Sequence, residues 1–328
     1  MQFRTYSEDD APAAVELLRA AFGDWPGRRV LAGDRPADFF RWKHEANPHG
    51  RSLIVVAEEE GQLVGMRAYM PWSLTAGGAE TEAVQAVDLA THPDFRGRGV
   101  STGLLKHARV VLRETKAFAL GLPNEMSRSQ SGKAGWRVVG RMGVWVRIQR
   151  PLSVARGIRS MRGPAQEEAL AVDAPPAHAV LAEAGWAAEL LGSDSGENDG
   201  RFATATDLAC LRWRYQPVLA DYRAIAIPET GLAVFRLSRR GRLNEGTVCE
   251  LIARDRPTKT LLLRAVAEAA RFDYLAAAEP LPGARMLRSP IGGRLLGVAP
   301  YRDGVEPDPA ARGSWALSLG DLERLELC

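Results

Sequence analysis

Apolar and polar positions recur along this chain with periods that change in a definite order. Residues 2–6 alternate as a short strand. Ser7 and Asp10 then form an opening like a capping box, with Asp where Glu or Gln is usual. The helix it starts carries Ala14, Val15, Leu17, Leu18, Ala21 and Phe22 on one face, and Gly23 and Pro26 end it. A second helix is predicted over residues 36–45 and is stopped by the turn chemistry of Asn47-Pro48-His49-Gly50. Residues 52–72 read as two strands joined at Glu60-Gly61, and a third strand runs from Gly77-Gly78 to residue 91. A helix over residues 100–114 follows, with Leu104, Leu105, Ala108, Val111 and Leu112 at helical spacing. A strand at 118–122, a short helical segment at 127–133 and a last strand at 136–148 complete the series. The order predicts an α/β (α+β) fold: a mixed sheet with helices on both faces, built from about 150 residues.

Residues 151–176 break the pattern. They hold Pro151, Gly157, Gly163, Pro164, Pro175 and Pro176 with little periodicity, and read as a solvated linker. A weak repeat lies beyond them. Phe40-Arg41-Trp42-Lys43-His44, then Pro48, precedes the strand SLIVVAEE; Leu211-Arg212-Trp213-Arg214-Tyr215, then Pro217, precedes the strand DYRAIAIP. Strands, a helix at 258–270 and a strand at 274–277 follow in the same order as in the first half. The chain therefore reads as two tandem copies of one fold: residues 1–150, a linker at 151–176, and a diverged copy at 177–328.

Composition narrows the function classes. Hydrophobic residues make up 46% and charged residues 25%, ordinary globular values, and the net charge of +3 is too small to argue for nucleic acid. No apolar run is long enough for a membrane helix, and no signal peptide is legible. Cys210, Cys249 and Cys328 are too scattered for a disulfide framework or a zinc site. A cytoplasmic protein without a metal is expected. Only five of the 43 basic residues are lysine, which suggests a GC-rich, bacterial source.

The chemistry concentrates in VDLATHPDFRGRGVSTGLLKHA, residues 87–108. A strand leads into Arg96-Gly97-Arg98-Gly99, and a helix starts at once with Val100, Ser101 and Thr102. Glycines let backbone N–H groups turn toward one point. The first N–H groups of a helix lack intrahelical partners, and the helix dipole adds positive potential there. The geometry suits a pyrophosphate. Neither GxxxxGK[ST] nor the dinucleotide pattern GxGxxG occurs. Strand alternation places Glu82 and Asp88 on one face, where they are the candidate proton acceptors; Gln85 is a candidate to position a water. A structural hydrogen-bonding role is the alternative for Asp88. His44 and Trp42, on the second helix, read as a solvated or capping residue and a core residue.

The string resembles the acetyl-CoA-binding motif of the GNAT N-acetyltransferases, [QR]-x-x-G-x-[GA], with Arg96 and Gly99 matching and Ser101 standing where Gly or Ala is usual. The resemblance spans residues 1–150 in element order and is specific over about residues 85–145. It implies acetyl-CoA as co-substrate, with its pantetheine arm held by backbone groups of Leu89, Ala90 and Thr91 and its pyrophosphate by Arg96 through Thr102. It also implies pantetheine contacts for Asn124, with help from Ser127; a helix cap or turn is the other reading of Asn124. Many members place a Tyr four residues before the Gly of a Lys-x-Gly-[Phe/Trp] segment, to protonate the departing thiolate. Ser131 stands there in this chain. The implied activity is transfer of an acetyl group to a primary amine of a small molecule, with an amino sugar suggested by likeness to tandem bacterial relatives. The Ser131 departure motivates the alternative of an acyl-CoA-binding sensor. An aminoacyl-tRNA-dependent enzyme ranks lower, because such proteins lack the Gly-rich loop. In the second half the equivalent string, ARDRPTKTLLLRA, has no Gly path and Pro257 removes one donor, so no acetyl-CoA site is expected there.

Overall fold

The structure is a computed structural model, and it describes residues 1–23, 25–26, 35–123, 135–157, 159, 171–194, 199–218, 220–281, 285–289 and 293–322. In chain order the first half holds β1 (Gln2–Thr5), α1 (Ala11–Phe22), α2 (Pro36–His44), β2 (Leu53–Glu59), β3 (Gln62–Ala76), β4 (Ala79–Thr91), α3 (Val100–Thr115), β5 (Phe118–Gly121), β6 (Arg137–Arg141) and β7 (Trp145–Ile148). The remainder holds α4 (Pro151–Gly157), α5 (Ala177–Glu183), α6 (Ala187–Asp194), β8 (Ala203–Thr204), α7 (Leu208–Arg214), β9 (Tyr222–Ile227), β10 (Gly231–Arg240), β11 (Leu243–Ala253), α8 (Arg256–Glu268), β12 (Tyr274–Ala277), β13 (Leu287–Arg288) and β14 (Leu295–Pro300).

Two sheets result. The first runs β1-β2-β3-β4-β5-β14-β6, with β8 paired to β3; the second runs β13-β7-β12-β11-β10-β9. Each is antiparallel except where a helix crosses over: β4 and β5 pair in parallel across α3, and β11 and β12 across α8. The repeat seen in the sequence is thus a repeat of structure. The two sheets also exchange strands. β14, from the C-terminal half, lies between β5 and β6, while β7, from the N-terminal half, lies between β12 and β13.

This exchange corrects the single strand expected over residues 136–148. The chain leaves one sheet after β6 and enters the other at β7. Gly140 has φ +133, a conformation open to glycine and strained for other residues, and Met142-Gly143-Val144 carries the chain across. The expected linker also departs from the reading, because Pro151–Gly157 is helical and buries Val154 and Gly157. The helical segment expected at 127–133 lies outside the described residues.

The first sheet is covered on both faces. Val100, Leu104, Ala108 and Leu112 of α3 pack on Val55, Ala57, Val64, Val84 and Ala86. The other face meets α1, α2 and the second half in a continuous core that includes Leu17, Phe39, Phe40, Val87, Phe118, Phe202, Trp213 and Trp315. Between the halves the repeated tryptophans stack, with centroids 5.1 Å apart and planes 18° from parallel. Trp42 Nε1 donates to the Trp213 carbonyl at 3.0 Å, and Trp213 Nε1 to the Trp42 carbonyl at 2.9 Å. The tryptophans of the Arg-Trp pairs legible in both halves therefore form one contact between the halves, in a reciprocal arrangement.

Candidate active site

The two parallel strands of the first sheet part company. Ala83, Val84 and Gln85 of β4 face Phe118, Ala119 and Leu120 of β5, after which β4 continues to Thr91 with no β5 partner. Leu89, Ala90 and Thr91 all lie in this parted stretch, and Ala90 and Thr91 keep their pairing to β3 through Met66 and Gly65. A bulge interrupts the ladder just inside it. Val87 faces Ala68 and Ala90 faces Met66, so Asp88 and Leu89 together oppose Arg67. Asp88 takes φ +48, in the left-handed region that Asp tolerates better than most residues.

At the end of β4 the chain turns through Arg96-Gly97-Arg98-Gly99 into α3. Gly97 and Gly99 have φ +78 and +79, so both positions need glycine's freedom. No side chain caps α3 at Gly99, and its first turn carries no acidic residue. The positive end of a 16-residue helix is left facing outward beside the parted strands. Gly97, Arg98, Gly99 and Thr102 are exposed, Ser101 is half-buried, and the Val100 side chain is buried against the sheet, so its backbone alone can serve a ligand. Arg96 does not extend over the loop: its guanidinium donates to the Ala21 carbonyl of α1 at 2.9 Å. Arg98 lies over the Phe95 ring at 4.8 Å. Asn124, Ser127 and Ser131 fall outside the described residues.

The two carboxylates expected on one face of β4 are not brought together. Glu82 is exposed at the start of the strand and pairs with Lys116 at 2.9 Å. The bulge turns Asp88 to the opposite side, onto α2, which breaks the alternation that linked them. There Asp88 is buried and clamped: Lys43 Nζ lies 2.7 Å and His44 Nε2 2.9 Å from Asp88 Oδ2. His44 Nδ1 lies 3.0 Å from Ser52 Oγ. Burial holds the His44 imidazole below its usual pKa, against the pull of Asp88 in the other direction. A neutral His44 that donates from Nε2 to Asp88 and accepts from Ser52 satisfies both ring nitrogens. Lys43 and His44 were not legible as partners of Asp88, since adjacent polar residues in a last helical turn usually face water.

Gln85 sits at the last position where β4 and β5 pair. Its side chain is wholly buried, and among the described residues neither the amide nitrogen nor the oxygen has a hydrogen-bond partner. A polar group so placed is costly, and each such case calls for an explanation.

The second half offers an internal control. Trp42-Lys43-His44 corresponds to Trp213-Arg214-Tyr215, and there Arg214 and the Tyr215 hydroxyl bind Glu250 on β11 at 3.1 and 2.6 Å. A cation and the next residue's ring clamp a carboxylate beside the bulge of the crossover strand in both halves, since Val248 and Glu250 flank an extra residue, Cys249. Two features differ. First, the N-terminus of α8 is closed by its own side chain, as Asp255 accepts from the Thr258 amide at 2.8 Å. Secondly, the gap between β11 and β12, which part after Thr247 and Ala276, receives the chain's C-terminal segment. Gly320 N donates to the Cys249 carbonyl at 3.2 Å and Ser318 Oγ to Glu250 at 3.1 Å. The clamp thus persists where the uncapped helix end and the open gap do not, which marks it as part of the framework.

Burial and nearby Asp321 outweigh Arg214 and raise the Glu250 carboxyl from 4.5 to about 7. The folded state keeps a proton that the unfolded chain has released, so this contribution to stability is full below about pH 4.5 and is lost as pH rises through about 7. The wild-type urea midpoint is expected to fall, relative to that of Glu250→Gln, between about pH 5 and about pH 8. Parallel pH curves for the two proteins would contradict this.

Among the described residues, no group of His, Cys, Asp and Glu is placed to hold a metal ion, and no helix is long and apolar enough to cross a membrane. Comparison with known proteins gives concordant results. The family model for the acetyltransferase (GNAT) domain matches residues 2–139. An acetyltransferase of Pectobacterium atrosepticum is 30% identical over 125 residues, which cover 38% of this chain and 72% of that one. A GCN5-related N-acetyltransferase structure from Anabaena variabilis covers 92% of this chain and 73% of its own at 14% identity, with a TM-score of 0.61. A probable N-acyltransferase from Enterococcus faecalis covers 90% and 72% at 11% identity, with a TM-score of 0.59. At these identities the structures speak to the fold, and both extend across the two sheets. With a glycine-turned helix N-terminus beside parted parallel strands, and an acetyltransferase relative matched over most of its length, this chain belongs to the GNAT superfamily of acetyltransferases.

Proposed function

We propose that the protein transfers the acetyl group of acetyl-CoA to a primary amine of a small molecule, by direct attack of the amine on the thioester. The observation that carries this reading is the contrast between the halves. The first half joins parted strands to a helix N-terminus with no side-chain cap, and the second closes both features with its own residues. The glycine loop fits a diphosphate, because an N-terminus free of acidic residues presents backbone donors to an anion. The N–H groups following Gly97 would hold the pyrophosphate, and the backbone of Leu89, Ala90 and Thr91 would align the pantetheine arm. The thioester supplies an activated acyl carbon and a fair leaving group. Within this scheme residues 1–150 carry the cofactor, and residues 177–328, beyond the 151–176 segment, complete the first sheet and wall the acceptor side.

Asp88 is a poor proton acceptor in this setting. An ammonium 2.7 Å away stabilises its charged form, and the carboxylate is sealed from solvent. Its role is positional: clamped from α2, it fixes the bulge whose backbone faces the thioester. Proton loss from the attacking amine then falls to water or to the substrate's own groups. Gln85 lies at the point where the strands part, and its buried amide, unpaired among the described residues, is the candidate side chain for a contact with substrate. Replacing it with Leu removes two unsatisfied atoms, so the Gln85→Leu protein is expected to be about 1–3 kcal/mol more stable while kcat/KM falls. Unchanged kcat/KM would remove Gln85 from the site.

The function is tested by thiol release from acetyl-CoA with a panel of primary amines that includes amino sugars. Turnover with at least one amine is expected. Saturable acetyl-CoA binding with no turnover on any amine would overturn the reading and favour a sensor.

A further inference from the structure

A recess lies where β12 ends. It has a volume of about 370 Å³, within the range of small-ligand sites. Ala278, Glu279 and Pro280, directly after β12, form one wall; the β6–β7 turn and Trp145 form another; Arg201, Arg312 and Trp315 close it from the C-terminal half's approach to the first sheet. This is the end at which β11 and β12 part, so it corresponds in the second sheet to the reaction end of the first.

Its charge is one-sided. Arg201, Arg288 and Arg312 line it against a single carboxylate, Glu279. Arg201 and Glu279 already pair at 2.8 Å. Among the described residues, neither the Arg288 nor the Arg312 guanidinium has an ion pair or hydrogen bond. Two guanidinium groups without a partner among the described residues line one cavity, and an anion held there gains charge-assisted bonds. Beneath the recess the framework is well packed. Trp315 is buried, donates from Nε1 to the Pro309 carbonyl at 3.0 Å and packs on Phe202 and Phe118 at 5.2 and 5.9 Å. Arg312 is also seated, with its Cδ running 3.4 Å from where a side chain at Gly140 would begin.

We infer that this recess is a binding site for a small anionic molecule, one that presents a carboxylate or phosphate to Arg288 and Arg312 and a small apolar part to Trp145. The second half has closed its helix N-terminus with Asp255. It would therefore bind anions through side chains in place of backbone amides. The site is separate from the glycine loop of the first half and does not depend on what that loop binds.

Calorimetric titration of the full chain tests it, run in parallel on the Gly99→Glu variant so that any binding at the α3 loop is recognised as heat that this variant lacks. The probes are phenyl phosphate and benzoate, which separate phosphate from carboxylate recognition, and benzamidine, a cation of like shape. At least one of the two anions is expected to bind the wild type, benzamidine is not, and Arg288→Ala/Arg312→Ala is expected to weaken the anion by roughly tenfold or more. Both substitutions fall on exposed side chains, so the variant should fold, which its unchanged melting temperature without ligand would verify. Equal anion affinity in wild type and the double variant, binding of benzamidine as tight as that of the anions, or no anion binding at millimolar concentration would overturn the proposal.

Discussion

Acetyl-CoA raises the melting temperature of the wild-type protein and leaves that of a Gly99→Glu variant unmoved: this is the first expected result. A ligand that binds only the folded state stabilises it by about 2.7 kcal/mol at 100 times its Kd. Gly99 is the N-cap of α3 at φ +79, with nothing within 4 Å of where a Cβ would stand. Space is therefore not what the substitution costs. A residue with a Cβ costs roughly 1–2 kcal/mol in the left-handed region. The larger effect is electrostatic. A carboxylate at the cap accepts from the same amides and presents negative charge where the diphosphate must sit. The second half shows the outcome, since Asp255 occupies that place on α8. Gly99→Ala separates the two effects: it carries the backbone strain without the charge, and should keep part of the acetyl-CoA response. An equal rise in wild type and Gly99→Glu would place the pyrophosphate elsewhere.

Asp88→Asn is expected to cost about 3–5 kcal/mol of stability, because it leaves the Lys43 ammonium buried without its counter-charge. Asn tolerates the left-handed backbone at this position, so the loss is chiefly electrostatic. Lys43→Met/Asp88→Asn removes both charges and should recover most of it, since an apolar replacement for a buried pair is often neutral. Urea unfolding of the two variants measures this directly. Activity carries a second signature. If Asp88 only positions the bulge, Asp88→Asn lowers kcat while the shape of the pH–rate profile stays as in the wild type. Loss of the ascending limb would make Asp88 the proton acceptor instead.

Sequence and structure agree where the signal is local. The turn at Arg96 to Gly99 is legible because glycines between a strand and an amphipathic helix admit few conformations. The repeat is legible at Trp42 and Trp213 because one contact, made reciprocally, constrains both copies in the same way. Long-range pairings left little trace. Residues 137–141 and 145–148 both read as strand, and nothing short of Gly140 and Gly143 signals that they belong to different sheets. The strand that flanks β6 in the first sheet, β14, begins at Leu295, nearly half the chain away. The placement of Asp88 departs from the sequence expectation for a related reason. Strict alternation puts it beside Glu82, and one extra residue in β4 is enough to send it to Lys43 and His44. Closure of the second gap by Ser318 and Gly320 was equally hidden, although Gly320 is forced: a Cβ there would lie 2.1 Å from the Tyr215 hydroxyl.

The most direct measurement is a crystal structure grown with saturating acetyl-CoA. The diphosphate should lie within hydrogen-bond reach of the amides that open α3, with the pantetheine running along β4 beyond Gln85. A nucleotide bound elsewhere on the chain, with those amides turned away from it, would contradict the proposed site.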